Sequence, residues 1–125
     1  MRVLALTGIT GGIEEELEEK RIKTLELISA SNVMAASILE RGDLVFVTSR
    51  SRDDLLSGVL GILAEVLDVN VESRKAFIPQ GLDESYIETA KVQLRYYSYA
   101  RVMDIEEEKE GLLVVVDVST ACLIW

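Results

Sequence analysis

The chain opens on a β-prone, alternating stretch, RVLALT at residues 2 to 7, which predicts a strand and runs into the glycine-rich turn GITGG. The period then changes. In IEEELEEKR, Ile13 and Leu17 stand four residues apart on one face, Glu fills the first turns, and Lys20 and Arg21 close the last. A short helix follows, with charges matched to its dipole at both ends. IKTLELI returns to a period of two: Ile22, Thr24, Glu26 and Ile28 share one face of a strand, and Lys23, Leu25 and Leu27 the other. SNVMAASIL reads as a second helical turn, ERGD as a turn, and LVFVTS as the next strand.

DDLLSGVLGILAEVLDVNVE fits two templates. Leu56, Val59, Leu60, Leu63, Val66 and Leu67 have helical spacing behind an N-cap at Ser51 or Asp53. Gly58 and Gly61 would each cost a helix interior roughly 1 kcal/mol relative to Ala, and strands with a bulge near Ala64 are the competing reading, which the family resemblance given below favours. IPQG reads as a turn, and LDESYIETA, residues 82 to 90, as a loop or helical turn. KVQLRYYSYARVM then sets Val92, Leu94, Tyr96, Ser98, Ala100 and Val102 on one face of a strand. Lys91, Gln93, Arg95, Tyr97, Tyr99, Arg101 and Met103 form the other. A strand of about 13 residues exceeds the usual length and implies a coiled barrel or a bent hairpin arm. DIEEEKEG predicts an exposed turn, and LLVVVDVSTACLIW a buried last strand. There is no internal repeat and no low-complexity linker.

The 125 residues fit one domain, 1–125, and 49% hydrophobic with 28% charged residues is a globular balance. No apolar run approaches the ~20 residues that span a bilayer, and the opening residues meet glycine too soon for a signal peptide. A cytoplasmic protein with no membrane partner is expected. Cys122 stands alone and His is absent, which removes an internal disulfide, a Cys-based zinc site and any Ser-His or Cys-His pair. Chemistry is left to carboxylates, Lys, Tyr and hydroxyls, with no metal and no cofactor expected. The net charge of −9 opposes nonspecific nucleic-acid binding, but the acid clusters in EEELEE and DIEEEKE, leaving room for a basic patch elsewhere. A single Pro and abundant Glu, Lys and Arg suit a thermophile.

LALTGITGGIEEELEEKRIKTLELI, followed by ERGDLVFVTS and SGVLGILAEVLDV, resembles the PUA-like superfamily in its ASCH branch. That branch carries a strand, a helix, a G-x-K-T-x-E-x-R strand, a GD turn and a further strand. The chain is also similar to a family of small archaeal proteins of unassigned function. The likeness covers residues 3 to 70: Lys23, Thr24 and Glu26 fill the K-T-x-E positions, and Gly42 and Asp43 the turn. Arg21 stands at the leading Gly of the motif and Ile28 at its final Arg. The resemblance implies an α+β, mainly β fold: a PUA-like small β-barrel with one or two short helices. It also implies a cleft between helix 13–21 and the strand from Ile22 that receives a base, a nucleoside or RNA. Some members of the branch hydrolyse acylated cytidine with a Lys and a Thr of this strand and a Glu from elsewhere. Lys23, Thr24 and Glu26 are therefore the catalytic candidates, although strand alternation puts Lys23 and Glu26 on opposite faces.

A second candidate surface needs no resemblance. Lys91, Arg95, Tyr97, Tyr99 and Arg101 fall on one predicted strand face, where rings stack on bases and cations meet phosphates; an ordinary exposed face is the simpler reading. TSRSRDD could hold a phosphate if a helix followed it. Cys122 and the apolar C-terminus could edge-pair two chains into a homodimer. The leading expectation is binding of RNA or a modified nucleoside. The alternatives are a small amidohydrolase acting on acylated nucleoside-like substrates and a noncatalytic interaction or assembly module.

Overall fold

A computed structural model describes residues 1–77, 84–108, 111 and 113–120, with strand segments 74–77 and 84–87 as backbone alone. In chain order the elements are β1 (Arg2–Leu6), α1 (Ile13–Lys20), β2 (Ile22–Leu27), α2 (Ala30–Ile38), β3 (Leu44–Val47), a 3-10 turn (Arg52–Asp54), β4 (Leu60–Phe77), β5 (Glu84–Glu108) and β6 (Leu113–Ser119). The fold is mainly β with two short helices, as expected.

One sheet runs in the order β2-β5-β4-β3-β1-β6, and a further β5–β6 pairing closes five of its strands into a ring. β5 makes this closure. Its residues 84–101 pair with β4, while on its remaining side it meets β2 through residues 90–95 and β6 through residues 101–108. Among the described residues β2 pairs with β5 alone, so within them it ends the sheet with one free edge.

Alternation divides the core in two. Val3, Ala5, Phe46, Leu63, Ala100, Val102, Val114 and Val116 come from all five ring strands and pack inside the ring. Leu25, Leu27, Val45, Val47, Ile62, Val92 and Leu94 point the other way, against Ile13 and Leu17 of α1 and Val33, Ala35 and Ala36 of α2. Gly61 is a packing requirement of the interior: a Cβ there would lie 2.5 Å from the Phe46 ring and 2.7 Å from the Val47 carbonyl. The residue that argued against a helix is thus the one that admits Phe46.

Three sequence expectations change. Residues 84–90, expected as a loop or helical turn, are strand, because β4 continues to Phe77 and supplies their partners. β5 likewise runs on to Glu108 through most of the expected acidic turn, held by β6. The 82–83 and 109–110 portions of those segments, the IPQG turn, and Cys122 with the apolar C-terminus lie outside the described residues. Of the two readings of residues 53–72, strand holds from Leu60 onward, and the ladder slips at Leu63/Ala64 as that reading expects. The extra residue belongs to the partner strand: Leu63 pairs with Ser98 and Ala64 with Tyr96, leaving Tyr97 as the bulge.

Candidate functional site

The chain enters β2 through a sharp turn. Arg21 has φ 68, a left-handed conformation that costs a non-glycine residue about 1 kcal/mol or more. Several contacts hold it there. Its N–H donates to the Leu17 carbonyl at 2.8 Å, its carbonyl accepts from the Tyr96 N–H at 2.7 Å, and its guanidinium lies 4.7 Å from the centre of the Tyr96 ring. EEKR, expected only as a charge-matched helix end, is therefore also the pivot that sets the register of β2.

That register decides where the main chain of β2 points. The bond from Tyr96 to Arg21 makes these two a hydrogen-bonded antiparallel pair. By alternation, Lys23, Leu25 and Leu27 also turn their main-chain groups toward β5. Ile22, Thr24 and Glu26 turn theirs toward the free edge.

A cavity of about 820 Å³ runs along this edge. Residues 23–29 of β2 and its exit form one wall. The rest comes from the loop Thr7–Gly11 after β1, Ile13 and Glu16 of α1, Ser31 and Asn32 in the first turn of α2, and Ser51–Asp53. Asn32 holds two of these parts together. Buried at 5% exposure, its amide accepts from the Thr7 N–H at 3.1 Å and donates to the Thr7 carbonyl at 2.8 Å. Glu14 accepts from the Ser49 N–H at 3.0 Å, and Arg52 pairs with Glu107 of β5 at 3.1 Å. The helix that would have made TSRSRDD a phosphate loop is here a single 3-10 turn.

Lys23, Thr24 and Glu26 all line this cavity. Lys23 lies on the covered face, its Nζ 2.5 Å from Glu16 of α1. This hydrogen bond, reinforced by the lysine's charge, holds the Glu16 carboxyl below its ordinary value of 4.5. Thr24 and Glu26 are on the opposite, exposed face, and Glu26 makes no ion pair among the described residues. The face that Glu26 shares with Ile22 and Ile28 is open to water. Sequence reasoning missed Glu16, Thr7 and Asn32. Only the Asn inside an otherwise apolar helix was a visible signal, and TGITGG was set aside as a simple turn.

The aromatic and basic stripe does not survive the bulge at Tyr97. Lys91 and Arg95 share the outer face with Glu26 and Ile22, their cross-strand partners, and Arg95 is bonded to Glu65 at 3.0 and 2.5 Å. Tyr97 is 59% exposed. Beyond it the alternation is reversed, so Tyr99 packs beside Tyr96 against the helical layer, ring centres 6.0 Å apart, and donates to Glu18 of α1. That hydrogen bond, with burial, pushes the Tyr99 hydroxyl up to about 12. Arg101 is half-buried, with an Nε that has no hydrogen-bond partner among the described residues. The five residues do not form one face.

A family model described as "Protein of unknown function (DUF473)" matches residues 1–116. The chain belongs to this DUF473 family. It is 36% identical over 109 residues to the uncharacterized protein MJ0105 of Methanocaldococcus jannaschii, covering 85% of this chain and 68% of that one. The small archaeal family of unassigned function expected from the sequence is thus represented. Among solved structures, the N-terminal domain of the Mycobacterium avium complex Lon protease is similar with a TM-score of 0.51 at 16% identity, over 95% of this chain and 54% of that one. This likeness concerns the fold. Among the described residues, no helix is long and apolar enough to cross a membrane.

Proposed function

We propose that this DUF473 protein binds a nucleoside-sized ligand, free or as a single base of RNA, in the cavity along the free edge of β2. The observation that carries the reading is the position of that cavity. Because it lies at a strand edge, it meets both faces of β2 and takes in Lys23, Thr24 and Glu26 despite their alternation. Its volume falls within the ~300–1,000 Å³ of small-molecule pockets, and its lining mixes Ile9, Ile13 and Leu27 with hydroxyls, the Lys23–Glu16 pair, Glu26, Arg52 and Asp53.

A PUA-like assignment gains support from Arg21. The ASCH motif has Gly at this position, and the left-handed φ of 68 is a conformation that glycine adopts freely. Binding is favoured over amide hydrolysis because the Lys23 ammonium is engaged by Glu16, and Glu26 leaves β2 on the opposite side. Extended RNA tracking along β5 is disfavoured by the broken stripe and by the acidic neighbours of Lys91 and Arg95.

Equilibrium dialysis of the full chain against a panel of ribonucleosides and a short single-stranded RNA tests the reading. Saturable binding that Lys23→Met weakens supports it, and absence of binding across the panel overturns it. Turnover of N4-acetylcytidine, lost in Lys23→Ala, would replace it with the hydrolase.

A further inference from the structure

The free edge of β2 carries chemistry that its side chains do not. By the alternation that the Tyr96–Arg21 bond sets, Thr24 and Glu26 each turn an N–H and a carbonyl away from β5, on the side of the cavity that both residues line, and among the described residues no loop or helix backbone bonds to them. Thr7, which also lines the cavity, has its own main-chain pair bonded to Asn32, so it does not satisfy them. A row of open main-chain groups is a template for added hydrogen-bonding partners. Most proteins cover or charge such an edge; here it forms the wall of a cavity.

We infer that the main chain of Thr24 and Glu26 reads a planar ring bearing an N–H donor beside an acceptor, such as the imide edge of a uracil-type base. The inference rests on the nucleoside reading above and deepens it. Within one edge residue the N–H and the carbonyl point the same way, side by side, in the plane of the sheet. A ring lying in that plane meets both at once: its acceptor takes the N–H, and its N–H donates to the carbonyl. The next such pair is two residues on, about 6.6 Å away at 3.3 Å per residue, so a single ring engages Thr24 or Glu26 and not both. Leu25, buried between these positions, and Leu27, buried just after them, anchor the strand to the core. Recognition of this kind depends on the backbone, and the identity of side chain 24 matters little.

Proline provides the test, because it removes an N–H and is tolerated on an edge strand where that N–H faces outward. The full chain, Thr24→Pro and Glu26→Pro are dialysed against uridine and N3-methyluridine, with circular dichroism checking the fold. The expected result is binding of uridine, at least tenfold weaker binding of N3-methyluridine to the unaltered chain, and a loss of at least tenfold in one proline variant. The methylated ligand keeps the test decisive if a proline variant does not fold. Equal binding of the two nucleosides overturns the inference and leaves the cavity reading standing. No binding of any nucleoside overturns both. Tighter binding of the extended peptide acetyl-Val-Lys-Val-Lys-Val-amide than of uridine, shifting Thr24 and Glu26 amides together, overturns the inference in favour of strand addition.

Discussion

Lys23 and Glu26 lie on opposite faces of β2 and border one cavity, because that cavity runs along the strand's free edge. Alternation separates residues three apart on a strand, and a pocket on either face would see only one of them. An edge pocket sees both, together with the main chain between them. This places the basic and the acidic member of KTLE on two sides of a prospective ligand, where they can flank it but cannot exchange a proton directly.

Glu16 and Lys23 join α1 to β2 at the cavity rim, and their coupling predicts a response to acid. The Glu16 carboxyl is held below its ordinary 4.5, so the stability it contributes is present above pH 4.5 and is lost as pH falls through the lower folded value. Carboxyl NMR titration should place the Glu16 midpoint below 4.5, and Lys23→Met should return it toward 4.5.

Tyr99 predicts the opposite response in alkali. Its hydroxyl is raised from 10.0 to about 12 by its hydrogen bond to Glu18 and by burial. The folded state therefore holds this proton more tightly than the unfolded chain, and the associated stability, complete below pH 10, falls away as pH rises toward 12. Tyr99→Phe should remove that contribution to the alkaline slope in urea denaturation, at a cost of about 1 kcal/mol near neutrality.

Asn32 satisfies the buried N–H and carbonyl of Thr7 through one side-chain amide. Asn32→Ala should leave both without protein partners and cost about 3 kcal/mol, measured as a shift in denaturation midpoint at unchanged slope. The loop Thr7–Gly11 then loses its tie to α2, so ligand affinity falls with stability.

Gly61→Ala should be among the most damaging small substitutions in the sheet. The added methyl meets the Phe46 ring and the Val47 carbonyl at under 3 Å, and relief requires moving β3 or expelling Phe46 from the ring interior. A loss of about 3 kcal/mol is expected from overpacking. Phe46→Leu should rescue part of it, whereas additive losses in the double variant would argue against the contact.

Much of this architecture is visible in the residues themselves. The changes of period at Ile13 and Ile22 mark α1 and β2, whereas the glycines at 58 and 61 argue against a helix without settling the strand. What stays hidden is non-local. The strand at 84–90 exists because β4 continues opposite it, and the stripe from Lys91 to Arg101 fails because one bulged residue, Tyr97, reverses the faces after it. A single slip of register is enough to turn a predicted interface inward. KTLE is legible as a charged, alternating segment, but whether its free edge is covered depends on β1, α2 and the 51–53 turn.

The proton–nitrogen correlation spectrum of the full chain titrated with uridine tests the central claim most directly. The account predicts saturable shifts at the amides of Thr24 or Glu26, with those of Arg95, Tyr97 and Arg101 stationary. Shifts along Arg95, Tyr97 and Arg101 with Thr24 and Glu26 unmoved would contradict it.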